Sequence, residues 1–153
     1  SIFLGGRSVN NKILNYLVKE TFKKVNSKKE NLRILLCGLS FKGYPQTKDL
    51  RGSAFINFYK NFSKRKNIKL YFYDNLFEQK EIEDFRIKKF EFKNLIKFHA
   101  IFFLNNSKDF KKIPIKYINN ITYKNSKIFD FWNILSQSRN KLLTNDYYEI
   151  GEI

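Results

Sequence analysis

The chain has 153 residues, of which 42% are hydrophobic and 18% aromatic, with 17 Phe and 9 Tyr. This apolar mass is enough to offset the ordering entropy of folding, so global disorder is excluded, and the length favours one compact domain with an appended element over two full domains. The formal charge of +16 (30 Lys and Arg against 14 Asp and Glu) brings an anionic partner into consideration, while a single cysteine, Cys37, excludes an internal disulfide.

Over residues 8–25 apolar groups recur at 9, 13, 17 and at 14, 18, 22, 25, the spacing of a long helix with a buried stripe wider than one packing face needs. Residues 26–31 are polar throughout and predict a linker. Leu32-Arg33-Ile34-Leu35-Leu36-Cys37-Gly38 is a nearly continuous apolar run ending in glycine, as expected of a strand covered on both faces of a parallel sheet. After a loop over 39–52, Ser53 is placed to cap a helix with apolar positions 54, 55, 58, 59 and 62. Residues 69–74 predict a second strand, 78–84 a short helix or turn, 85–90 a short strand and 93–99 another short helix. Ala100-Ile101-Phe102-Phe103-Leu104 predicts a further strand, 107–119 a helix interrupted at Pro114, and 127–131 the last strand. This alternation predicts an α/β fold: an open, mostly parallel, Rossmann-like sheet with helices on both faces, preceded by the long N-terminal helix.

In such a sheet ligands bind outside the carboxyl ends of the strands, so the loops after Gly38, Asp74, Leu104 and Phe131 form the expected functional rim. The first is the longest. It lacks the G-x-G-x-x-G dinucleotide spacing, since only Gly38 and Gly43 stand there, and it lacks the P-loop order, since Lys42 precedes Gly43 and Tyr44 follows it. What it offers is the point cation Lys42 and the Arg51 fork beside a helix N-terminus, a set that suits a phosphorylated ligand. The competing reading takes Lys42 as a solvated lysine and Asp49–Arg51 as a brace within the loop.

Gly38-Leu39-Ser40-Phe41-Lys42-Gly43 followed by Thr47-Lys48-Asp49-Leu50-Arg51-Gly52-Ser53 resembles the G-[LF]-[AS]-F-K … T-x-D-[LT]-R-x-S signature of the UDP-glucose/GDP-mannose dehydrogenase family. The segments at Tyr73-Asp74, 100–104, 107–110, Phe129-Asp130 with Asn133-Ile134-Leu135, and Tyr148-Glu149-Ile150-Gly151 are similar to later family motifs in the same order. Arg7-Ser8-Val9-Asn10-Asn11 resembles the helix that joins the family's central dimerisation helix to its C-terminal domain. The resemblance therefore implies two parts: the end of the connecting helix and linker over 1–30, and the C-terminal nucleotide-sugar-binding α/β domain over 31–153.

The resemblance also implies an activity for the intact parent, the NAD-dependent oxidation of a nucleotide-sugar C6 alcohol to a carboxylate through a cysteine-bound intermediate. By position, Phe41 and Lys42 would contact the UDP-sugar or GDP-sugar, and Arg51 would approach NAD held on a separate N-terminal domain of a homodimeric parent. NAD is not expected to bind this piece alone. Trp132 stands where many members carry an arginine; it would either stack on the ligand or be a partly buried aromatic with its N–H satisfied.

No catalytic residue is expected here. Cys37 reads as a small buried hydrophobe; Asp74 stands where dinucleotide folds place the acidic residue that holds a ribose, but the weak glycine loop favours a strand-end cap; and His99 has no acidic or Cys neighbours at metal-ligand spacing. The apolar runs are far below the ~20 residues of a membrane span. The chain is thus expected to be soluble and cytoplasmic and, lacking methionine and opening at Ser1, to be a piece of a longer protein. Two rival readings are a basic nucleic-acid-binding module and a non-catalytic interaction domain with the same fold. The first is disfavoured because 24 of the 30 cations are Lys, scattered along the chain, whereas nucleic-acid recognition favours clustered Arg forks.

Overall fold

The computed structural model describes residues 7–25, 28–144 and 146–153, with the side chains of 7–10 left aside. Six parallel strands form one sheet in the order β3-β2-β1-β4-β5-β6. They are β1 (Leu32–Cys37), β2 (Ile68–Tyr73), β3 (Lys88–Lys89), β4 (Phe98–Phe103), β5 (Thr122–Asp130) and β6 (Tyr147–Glu149). The helices are α1 (Arg7–Lys24), α2 (Ala54–Phe62), α3 (Lys108–Lys111) and α4 (Ile115–Asn120). The order reverses between β1 and β4, which puts the chain's switch point at the carboxyl ends of those two neighbours.

The uninterrupted apolar composition of β1 follows from burial on both sides. Ile34 and Leu36 join one core with α1 and α2, whereas Leu35 and Cys37 join a second core with Phe110, Ile113 and Ile118. Helices thus cover both faces, as expected of a parallel sheet. The first core is strongly aromatic: Phe58 lies 5.0 Å from Phe102, and Phe102 stacks on Phe129 at 4.7 Å. Ser53 caps α2, its hydroxyl accepting from the Ile56 amide. On α1 Leu14, Leu17 and Val18 are buried, as is Val25 just past its end, and Ile13 and Phe22 pack beside them, so this one domain takes up both apolar stripes over the described side chains; position 9 lies outside them.

Three expectations are corrected. Residues 93–99 are not a helix: the stretch turns after Glu91, leaves Leu95 fully exposed, and enters β4 at Phe98. The pairing with β5 slips between Phe98 and Ala100, from Phe98↔Thr122 to Ala100↔Lys127, so the buried Phe98 opens a strand rather than closing a helix face. Strand 127–131 is not the last: β5 begins at Thr122, and β6 pairs with it from Ile128↔Tyr147 to Asp130↔Glu149. The strand expected over 85–90 is reduced to Lys88–Lys89.

Candidate functional site

The rim at the carboxyl end of the sheet is organised by three buried polar side chains. Asp74, just past β2, accepts from the Leu39 amide with one oxygen and from the Leu76 amide with the other, both at 3.0 Å. It thereby ties the first loop to the second, and burial pushes its carboxyl above the usual range despite the two amides. The strand-end-cap reading of Asp74 describes what it does.

Asn105, just past β4 and 1% exposed, donates to the Ser40 carbonyl at 3.2 Å and accepts from the Ser107 amide at 3.1 Å. Its neighbour Asn106 accepts from the Gly43 amide at 3.0 Å. The two glycines are there to let these loops meet. Gly38 adopts φ +98°, and a Cβ on it would lie 2.5 Å from Asn105 Cγ; a Cβ on Gly43 would lie 2.1 Å from the Ser107 amide nitrogen. With the two glycines packed against Asn105 and Ser107 and no G-x-G-x-x-G spacing in the loop, it does not fit an NAD cradle.

Asp130 ends β5 and is completely buried. Oδ1 accepts from the amides of Trp132 and Ile134, at 3.3 and 2.9 Å, while Oδ2 accepts from the Leu135 amide at 2.8 Å and the Tyr147 hydroxyl at 2.6 Å. These bonds wrap the last rim loop around the carboxylate and let Asn133 adopt φ 55°. Burial and the bond to Asp130 raise the Tyr147 hydroxyl well above its ordinary value, keeping it a donor.

On this frame the four residues singled out from the sequence all lie at the carboxyl edge. Phe41, Lys42 and Arg51 share the loop after β1, which folds back on itself through the Phe41 amide and the Asp49 carbonyl at 3.1 Å. Phe41 is half-buried and Lys42 exposed; Lys42 makes no ion pair among the described residues. Arg51 is exposed and held by both Asp49 oxygens, each at 3.0 Å, so the brace foreseen for this pair is present.

Trp132 stands on the loop after β5, across β4 from the others, and no hydrogen bond joins it to them. Its ring packs against both cores, but its indole N–H is buried with no partner, which corrects the expectation that the N–H would be satisfied. Sequence reasoning gave no role to Asn105, Asn106 or Tyr147; the only signal was a run of short polar residues directly after an apolar strand. Cys37 is buried in β1, and burial together with Asp74 and Asp130 raises its thiol well above the ordinary range. Among the described residues no three His, Cys, Asp or Glu side chains are grouped as a metal would require, and no helix is long and apolar enough to cross a membrane.

Comparison with curated protein sequences gives no significant match. Among solved structures, UDP-N-acetyl-mannosamine dehydrogenase from Staphylococcus aureus superposes with a TM-score of 0.68 at 21% identity. UDP-D-ManNAc dehydrogenase from Pyrococcus horikoshii superposes at 0.66 and 19%. Each alignment covers 95% of this chain and 32% of the other, so the chain spans about a third of those proteins' length. At these identities the likeness establishes the fold. The profile of the UDP-glucose/GDP-mannose dehydrogenase family, UDP binding domain, matches residues 35–137, a span that holds the Phe41–Lys42 loop, the Asn105 loop and Trp132 alike. The chain belongs to that family, as its UDP-binding domain.

Proposed function

We propose that the rim holds the nucleotide part of a UDP-sugar or GDP-sugar for an NAD-dependent 6-dehydrogenase whose remaining parts lie outside this chain. In this reading residues 1–30 are the end of the connecting helix and linker, and 31–153 form the nucleotide-sugar domain of a homodimeric, cytoplasmic parent. The observation that carries the proposal is the placement of Lys42: an exposed ammonium without an ion-pair partner among the described residues, on a loop locked at the sheet's switch point. A diphosphate supplies the missing countercharge, Phe41 offers a half-buried ring beside it, and Trp132 bounds the rim two strands away.

Arg51 lies at the outer end of the same loop, where it would meet NAD carried by the parent's other domain. NAD would supply hydride acceptance there; this chain's part is to bind and orient the sugar nucleotide. The solved neighbours are dehydrogenases of UDP-linked sugars, which supports UDP over GDP as the ligand to test first. In calorimetry UDP is expected to bind weakly, with Lys42→Ala losing about 1.5–3 kcal/mol, the scale of a hydrogen bond to a charged group. Absence of UDP and GDP binding at millimolar concentration, or full binding by Lys42→Ala, would overturn this assignment.

A further inference from the structure

At the opposite, amino-terminal edge of the sheet lies a cavity of about 350 Å³. Into it converge Lys23 and Lys24 from the end of α1, Lys28 and Lys29 from the segment before β1, Lys127 of β5 and His99 of β4; no carboxylate lines it among the described residues. Val25 and Leu32 provide an apolar floor. The carbonyl end of α1 accounts for Lys23 and Lys24 on its own. It does not account for three further lysines arriving from two other segments.

Lys23 is paired with Glu20 at 2.9 Å and Lys127 with Asp146 at 2.6 Å. Lys24 and Lys29 instead stand over aromatic rings, Tyr148 at 4.9 Å and Tyr123 at 6.0 Å from the centroids. Like charges gathered around one cavity repel one another, and an anion placed among them relieves that repulsion. His99 adds a directional donor. Its Nδ1 accepts from the Arg33 amide at 3.0 Å and its ring stacks on Tyr123, so the ring proton sits on Nε2; Asn125 adds an amide at the wall.

We propose that this cavity is a second anion site, separate from the Lys42 rim, and that it takes a compact, multiply charged phosphate ligand. Several point cations and two neutral donors suit tetrahedral, acceptor-only phosphate oxygens, and the lack of any Arg fork in the lining disfavours base-edge readout. The inference does not depend on the function proposed for the rim.

The test is calorimetric titration of the 153-residue chain with inorganic tripolyphosphate at about 150 mM salt. It is read beside the His99 ring nitrogen signals and repeated with Lys24→Glu/Lys29→Glu. Saturable binding that shifts His99, weakens by about tenfold or more in that double variant, and is retained by Lys42→Ala and by Lys111→Glu/Lys116→Glu supports the site. Melting curves establish that each variant is folded, and Lys24→Gln/Lys29→Gln replaces a charge reversal that fails to fold. No binding at millimolar tripolyphosphate, or equal weakening by the control pair, would overturn it. So would a single-stranded oligonucleotide that displaces tripolyphosphate and binds more than about tenfold tighter, which would assign the lysines to a nucleic-acid backbone.

Discussion

The Tyr147 hydroxyl donates to Asp130 Oδ2 at 2.6 Å, joining the edge strand β6 to the carboxylate that shapes the last rim loop. Both groups are buried, at 5% and 0% exposure, so neither has water to fall back on. Tyr147→Phe removes one of the four donors and is expected to cost about 1.5–3 kcal/mol of stability. Asp130→Asn turns an amide NH₂ toward two donors and is expected to cost about 3 kcal/mol or more. Urea denaturation of both single variants and of the double variant checks this; a double variant no worse than Asp130→Asn alone is the expected sign of coupling.

A second prediction concerns the loop contact at the switch point. A Cβ on Gly43 would meet backbone, the Ser107 amide nitrogen at 2.1 Å, rather than a side chain able to swing away. Gly43→Ala is expected to lose about 3 kcal/mol and to lower UDP affinity as the loop lifts. Gly151→Ala, with nothing within 4 Å, is expected to stay within about 0.5 kcal/mol of the parent. Comparable denaturation midpoints for the two variants would contradict the packing role given to Gly43.

Much of this frame is legible in the sequence because it rests on periodicity and local chemistry. The apolar run of β1 and the Ser53 cap depend on neighbours a few residues away, and each stands where it is expected. The failures are of another kind. The stretch 93–99 combines an exposed Leu95, a half-buried Ile96 and a buried Phe98, and only the pairing of Phe98 with β5 shows that it ends in a strand. β6, at three residues, is too short to show alternation and is recognisable only once β5 is beside it. The work of Asn105 depends on two glycines more than sixty positions away, and Asn-Asn-Ser after a strand reads simply as a loop. The N–H of Trp132 lacks a partner because the ring is wedged between two cores, a circumstance of packing that composition does not carry.

The pH dependence of folding should report His99. Burial, with Lys29 and Arg33 adding to it, lowers its pKa below the ordinary 6.5. Between the folded value and 6.5 the unfolded chain binds the proton more readily, so this group makes stability rise with pH across that interval and fall as the solution is acidified through it. His99→Asn, which keeps an acceptor near the Arg33 amide, is expected to flatten the denaturation midpoint across about pH 5–7. An unchanged slope, or an NMR titration of His99 above 6.5, would contradict this.

Cys37 should be chemically silent. Burial raises its thiol and shields it, so a thiol reagent is expected to label it only after denaturation. The chain by itself is expected to produce no NADH from UDP- or GDP-sugars, with or without Cys37→Ala. Turnover that Cys37→Ala abolishes would refute both the reading of this thiol and the assignment of the chemistry to parts of the parent outside this chain.

The central claim, that the carboxyl rim binds a nucleotide diphosphate, is most directly tested by the emission of Trp132, the only tryptophan in the chain, during a titration with UDP. The account predicts a saturable change in emission, lost or strongly weakened in Lys42→Ala and not reproduced by tripolyphosphate acting at the far edge of the sheet. No saturable binding at millimolar UDP, or binding that leaves both Trp132 emission and the Lys42→Ala affinity unchanged, would contradict it.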